Sequence, residues 1–431
     1  MTKIKLIAMC MAVALLMFPI CSCNESKSTV DLSDYTFIIS SHWDEYDYER
    51  GESTYGDIWL DKLDEISKKY GCKFEFKIYS NGDEIANQVH QAILAGDKPF
   101  DILDAPIKTY YSLLASKDLY DQKKIPNLDL TSSNFNQNIN RIGAWKDGQY
   151  GSYFGHTDNI PGLFYNKTML DQKGLEDPVD LYKSGNWTIQ KFEEIMKACL
   201  STTDSGSKVY GMVMGNAMSE YFLTSAGGGL VIQDQNGDYK FGLDSAQSMQ
   251  VVDTIRGWYR QKLIHPETHY ETVKKYFAAS RAAFIPHYIW SVESFSNMEE
   301  EVGFVPFPSN GTSTENKLYV DECRMFLMPR TLDNPEATGL IYSMLAEVAD
   351  ARKSAMEQSL MDSGCTQDML EMFKKSENMI EISPARGADT ALAEQAFYDV
   401  CQDTTREPSS EFATVKSAVQ SLVDDFYKSL P

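Results

Sequence analysis

Among 431 residues there are six histidines, and eight cysteines that form no C-x-x-C pair. G-x-S-x-G, H-E-x-x-H and G-x-x-x-x-G-K-[ST] are all missing. The chain therefore lacks the local signatures of serine hydrolases, zinc peptidases and phosphate-cradling loops. Gly227-Gly-Gly229 lacks the third glycine of a dinucleotide loop and reads as a bend. Asp234, Asn236 and Asp238 imitate the start of a calcium loop, but Tyr239 and Ser245 stand where glycine and glutamate are needed. His265 and His269 are four apart, yet Pro266 intervenes and no third ligand is local. No metal site, catalytic residue or cofactor is expected.

Positive charge is also scarce. Forty Lys and Arg face 62 Asp and Glu, a formal charge of −22. That excess argues against nucleic acid, whose binding depends on neutralised phosphates, and against an anionic substrate drawn in by a basic field. A neutral or cationic solute is the easier partner. Three cysteines (10, 21 and 23) fall near the start. The other five, Cys72, Cys199, Cys323, Cys365 and Cys401, are odd in number and widely spread. They read mostly as buried single thiols, leaving room for a bridge whose pairing the sequence does not assign.

The beginning of the chain is more informative. Lys3 and Lys5 precede an apolar run, Ile7–Ile20, broken only by Pro19. The run is shorter than the ~20 residues of a spanning helix and ends in small residues. Ile20-Cys21-Ser22-Cys23 resembles the bacterial lipobox. Residues 1–22 then form a signal peptide and Cys23 carries lipid, with 23–34 as a polar tether. Loss of Lys3 and Lys5 takes the mature charge to −24. The expected location is the outer face of the bacterial cytoplasmic membrane.

Strand-like runs alternate with amphipathic helices. Tyr35–Ser40 reads as a buried strand, and 57–70 as a helix striped by Trp59, Leu63, Ile66 and Tyr70 that stops at Gly71. Phe74–Tyr79, a helix carrying Ile85, Val89 and Ile93, and Phe100–Asp104 complete β-α-β-α-β, the mark of an open parallel sheet. Asp147-Gly148 and Asn236-Gly237 predict hairpins. Thr188 predicts an N-cap, with Trp187 and Phe192 as its hydrophobic staple. Further helices are expected over 246–263, after Asn334-Pro335, and over 410–429. Short apolar strands are expected at Gly162–Asn166, Ala282–Pro286 and Val302–Pro306.

Three stretches resemble family 1 extracellular solute-binding proteins of ABC importers, the group that includes maltose-binding protein. Asp147-Gly-Gln-Tyr-Gly through Gly162-Leu-Phe-Tyr-Asn-Lys-Thr-Met-Leu170 and Gly185–Phe192 is similar to the family's first run. Phe277–Trp290 resembles its F-x-x-G-x-A-A segment, with Ser280 in place of the glycine. Val302-Gly-Phe-Val-Pro-Phe-Pro308 resembles its V-G-x-x-P-x-P strand. The resemblance implies an α/β, two-lobed, periplasmic-binding-protein-like (type II) fold, each lobe an open, mostly parallel sheet flanked by helices. A cleft lies between the lobes. It places the first lobe at 35–160 plus 312–358 and the second at 161–311 plus 359–431. Crossings fall near 156–162, 309–316 and 355–362.

Ligands of open α/β sheets sit beyond the carboxyl ends of strands. That points to Trp43 after the first strand, Asp104 after the third, and Asp158 and Asn159 before the first crossing. Tyr221 and Trp290 join them from the second lobe, Trp290 because the family's matching tryptophan lies in the cleft. Trp59 and Trp258 sit on helix stripes and read as core, Trp187 as staple, and Trp145 as filler. Arg386 resembles a late P-x-R segment near the hinge, or forms an ion pair. The implied function is a monomeric, lipid-anchored receptor that captures a sugar or oligosaccharide for an ABC permease. The alternatives are a surface glycan hydrolase or lyase, and a solute-sensing lipoprotein feeding a receptor kinase.

Overall fold

The computed structural model describes residues 31–431, apart from 44–45, 158, 204, 312–316, 321 and the side chain of Asp83. Cys23, the signal segment and Asp158 lie outside the described residues.

The predicted β-α-β-α-β unit is present as strand Thr36–Ser41, helix Thr54–Tyr70, strand Lys73–Ile78, helix Ile85–Leu94 and strand Ile102–Pro106. The first helix begins earlier than its apolar stripe suggests, because Ser53 caps it by accepting the Gly56 N–H at 3.0 Å. It ends where Gly71 adopts φ 81° and returns its N–H to Ser67.

Two five-stranded sheets follow. The first runs Lys73–Ile78, Thr36–Ser41, Ile102–Pro106, Arg324–Leu327, Gly151–Ser152. Four strands share one direction, and Arg324–Leu327 opposes both its neighbours. The second runs Val302–Val305, Pro161–Asn166, Ala282–Tyr288, Lys208–Met212, Ser201–Thr202. Here Pro161–Asn166 opposes both neighbours, and the short Ser201–Thr202 opposes Lys208–Met212. In each sheet the strand that opposes both of its neighbours is the one by which the chain enters from the other sheet.

Each sheet has its own aromatic core. In the first lobe Phe154 and Phe326 stack at 4.9 Å beside Tyr342. In the second Phe192 packs against Trp187, Phe222, Trp258 and Phe284. Trp187 also donates its indole N–H to Pro306 O at 2.8 Å, so the staple and core readings both hold. Trp59 and Trp258 are fully buried. All five described cysteines are free and buried. Burial pushes the Cys199 and Cys365 thiols up to about 11, which makes them poor nucleophiles.

The last helix, Pro408–Ser429, lies on the second lobe, where Gln420 accepts the Phe241 N–H at 2.8 Å. Its tip reaches the first lobe. Tyr427 stacks on Tyr239 at 3.5 Å and also faces Trp145, while Phe426 meets Tyr111. Trp145 is therefore filler beneath that tip. No helix among the described residues is long and apolar enough to cross a membrane.

Candidate functional site

The carboxyl ends of the first sheet's strands converge on one charged cluster. Arg324 enters opposite Pro106 and grips Asp104 through Nη2 at 2.5 Å and Nε at 3.3 Å. Its guanidinium lies 3.9 Å over the Trp43 ring. Tyr46 donates its hydroxyl to Asp104 at 2.5 Å. Arg352, from helix Ala349–Asp362, donates to the hydroxyls of Tyr46 and Tyr153 at 3.0 and 2.9 Å. It also stands over the rings of Tyr46, Tyr153 and Phe154. A buried carboxylate is tolerated only when paired and hydrogen-bonded. Asp104, with no exposed surface, meets both conditions.

A cavity of 290 Å³ opens over this cluster. Tyr48 and Tyr55 wall it from the first lobe, Tyr153 and His156 from the first crossing, and Arg324 from the returning strand. Arg352, Ala355, Met356 and Ser359 supply one face of a helix, at the spacing i, i+3, i+4, i+7. A larger hollow of 450 Å³ lies between helices Ile189–Cys199 and Ala246–Arg260. Its lining includes no residue of the first sheet's lobe, so it is not a space that two lobes close on.

The second lobe contributes an aromatic group. Tyr221 and Tyr288 share a hydrogen bond between hydroxyls at 2.9 Å, and Tyr288 stacks on Trp290 at 5.8 Å. Trp290 is 38% exposed, and it is the one exposed tryptophan of the six. Beneath it His287 is buried. Its Nδ1 accepts from Tyr288 N–H at 3.1 Å and pairs with the Ser291 hydroxyl. Burial, and next the charge of Lys274, lower His287 to about 3, so the ring is neutral. The Ile289 N–H bonds Ile160 O at 3.0 Å, which ties the end of the first crossing to this group. From Tyr153 to Ile160 the chain spans at most about 25 Å, so the aromatic group lies within that reach of the cavity wall.

The structure thus joins Trp43 to the charged cluster and brings Tyr221 and Trp290 together in the second lobe. Asn159 is half-buried, next in the chain to Ile160. Asp104 lies behind the cavity wall, held by Arg324 and Tyr46. Arg386, beside Tyr221 and Tyr319, lines a small recess near the crossings. Sequence reasoning did not single out Tyr48, Tyr55, Tyr153, Arg324 or Arg352. The one available signal was the Arg352/Met356/Ser359 spacing, in a segment without an apolar stripe. The third expected crossing, near 355–362, falls inside the unbroken helix Ala349–Asp362.

Two α/β lobes joined by several crossings, with a polar cavity on one and an exposed aromatic platform on the other, define a solute-binding protein. Residues 63–360 match the family model for bacterial extracellular solute-binding proteins, and the chain belongs to that family. Solved structures agree in fold. The GacH receptor of Streptomyces glaucescens, seen unliganded and with acarbose, is 14% identical with a TM-score of 0.62, covering 90% of this chain and 98% of its own. A Thermotoga lettingae ABC transporter solute-binding protein bound to α-D-tagatose is 16% identical with a TM-score of 0.57, covering 90% and 99%. A cyclo/maltodextrin-binding protein complexed with maltotetraose is 14% identical with a TM-score of 0.63, covering 92% and 96%. Comparison with curated proteins finds no match.

Proposed function

We propose that this protein captures a carbohydrate between its lobes and hands it to an ABC-type permease. The observation that carries the reading is Trp290, a large aromatic left exposed and braced from behind by Tyr288 and His287. An exposed indole suits the C–H face of a sugar ring, and the guanidinium, phenol and imidazole groups of the cavity suit its hydroxyls. The saccharide ligands of the three neighbours favour the same class.

The first lobe comprises 35–160 plus 312–358 and the second 161–311 plus 359–431, and the strand membership of the two sheets supports the boundaries at 160/161 and 311/312. The remaining ligand contacts are Trp43, Asp158, Asn159 and Tyr221, with Asp104 setting Arg324 from behind. The protein acts as a monomer, held at the outer face of the membrane by lipid on Cys23.

Tryptophan fluorescence tests the ligand class, using D-glucose, D-galactose, D-mannose, D-xylose and their disaccharides. A saturable change with one of them is the expected result. No change with any sugar, together with binding of a peptide, would remove the carbohydrate assignment. Recovery of a cleaved product would move the protein to the glycan hydrolases. Labelling with radioactive palmitate tests the anchor: wild type incorporates label, and Cys23→Ser does not and is released to the medium.

A further inference from the structure

We infer that Glu377 is a positioning residue of the cleft, holding the first interlobe crossing and the cavity residue His156 in one fixed setting. This rests on the reading that the two lobes close on a solute. Glu377 ends helix Gln367–Glu377 and is 5% exposed. Its Oε1 accepts the Thr157 N–H at 3.0 Å and the Asn136 side-chain amide at 3.1 Å. Its Oε2 meets His156 Nδ1 at 2.5 Å. The other ring nitrogen, Nε2, faces Glu357 Oε1 at 3.1 Å, and Lys374 Nζ reaches the same oxygen at 2.7 Å. Phe373 packs edge-on against the imidazole.

This placement is costly on two counts. A carboxylate at a helix C-terminus faces the negative end of the dipole, and a buried carboxylate needs donors to offset desolvation. Three donors converge here, and charge-assisted bonds are about twice as strong as neutral ones. Two of them, Thr157 N–H and His156, belong to the crossing itself. The third, Asn136, also donates to Gly155 O at 3.0 Å and so pins the residue before them. One buried carboxylate therefore governs three consecutive residues of the crossing and the direction in which His156 points into the cavity. Because Glu377 and Glu357 lie on neighbouring helices, the lining helix is fastened to that crossing through the same imidazole.

The test uses the full chain with Glu377→Ala and Glu377→Gln. Three readings are compared: deuterium exchange at the Thr157 amide, the His156 ring resonance in NMR, and affinity for whichever sugar of the panel above binds wild type. Glu377→Ala is expected to speed exchange at least tenfold and displace the ring resonance. In Glu377→Gln the amide oxygen still accepts from Thr157, so slow exchange returns. An NH2 group now replaces the oxygen facing His156, so the resonance stays displaced and affinity stays at least fivefold weaker. A glutamine variant that restores all three readings would overturn the positioning role, and so would unchanged exchange and resonance in the alanine variant. If Glu377→Ala does not fold, Glu377→Gln alone decides: a displaced His156 resonance with slow Thr157 exchange is expected, and an undisplaced resonance would overturn the proposal. If no sugar binds wild type, the functional reading fails, while the two ligand-free readings still decide this one.

Discussion

Trp290, in the short helix Ile289–Phe295, and Asp104, in strand Ile102–Pro106, should respond to substitution in opposite ways. Trp290 is exposed and braced, so Trp290→Ala should leave the melting temperature nearly unchanged. Sugar affinity should fall by about 2 kcal/mol, roughly thirty-fold, the scale of an aromatic hot spot. Asp104 is buried beneath Arg324 and Tyr46. Asp104→Asn leaves a guanidinium without its counter-charge, and breaking such a pair costs about 3–5 kcal/mol of stability. Urea unfolding separates the two cases. His287 sets a pH limit. Its folded value of about 3 lies below its ordinary 6.5, so the unfolded chain binds a proton that the folded chain refuses. The stabilisation is complete above pH 6.5 and drains away as pH falls toward 3, by up to about 1.4 kcal/mol per unit. His287→Asn, which keeps an acceptor for Ser291 and the Tyr288 N–H, should flatten that slope in denaturant titrations across the same window.

At the scale of elements, helix Ala349–Asp362 and the crossing beside it do the shaping. Gly155 has φ 103°, and a Cβ there would stand 3.0 Å from Arg352 Cδ. Gly155→Ala should therefore lose about 1–3 kcal/mol of stability, the cost of a strained backbone, and should weaken sugar binding by displacing Arg352. Both effects are read from urea melts and fluorescence titration. These elements also mark where the sequence stopped being legible. Strands and helices with an apolar period, such as Thr36–Ser41 and Thr54–Tyr70, could be read directly, as could the Thr188 and Asn334 caps and both hairpins. Strand Arg324–Leu327 has only four residues and opens on a charged one. Helix Ala349–Asp362 buries little beyond Ala349 and Leu360, so it carries no stripe. Their side chains answer to a cavity assembled from four separated segments, and no local period encodes that. Trp290 was legible only through its family-like surroundings, whereas the Arg324–Asp104 pair joins residues far apart in the chain and needed the fold to be seen.

For the whole molecule, the proposed capture of a solute between the lobes would make the angle between them the variable on which binding acts. A ligand shifts that angle only to the extent that it binds the closed form better than the open one. Small-angle scattering should show the radius of gyration falling on addition of the cognate sugar. The fall should disappear in Trp290→Ala at the same sugar concentration. An unchanged radius at saturation in wild type would count against closure.

The tip of the last helix bears on how such binding would be observed. Trp145 lies between that tip and the first lobe, with its indole N–H on Pro431 O at 3.1 Å and Tyr427 beside it. If the lobes close as proposed, its emission should respond to movement of that tip against the first lobe. A fluorescence change on titration would mix this remote signal with that of Trp290. Titrating Trp145→Phe beside wild type divides the light into a part that reports contact and a part that reports motion.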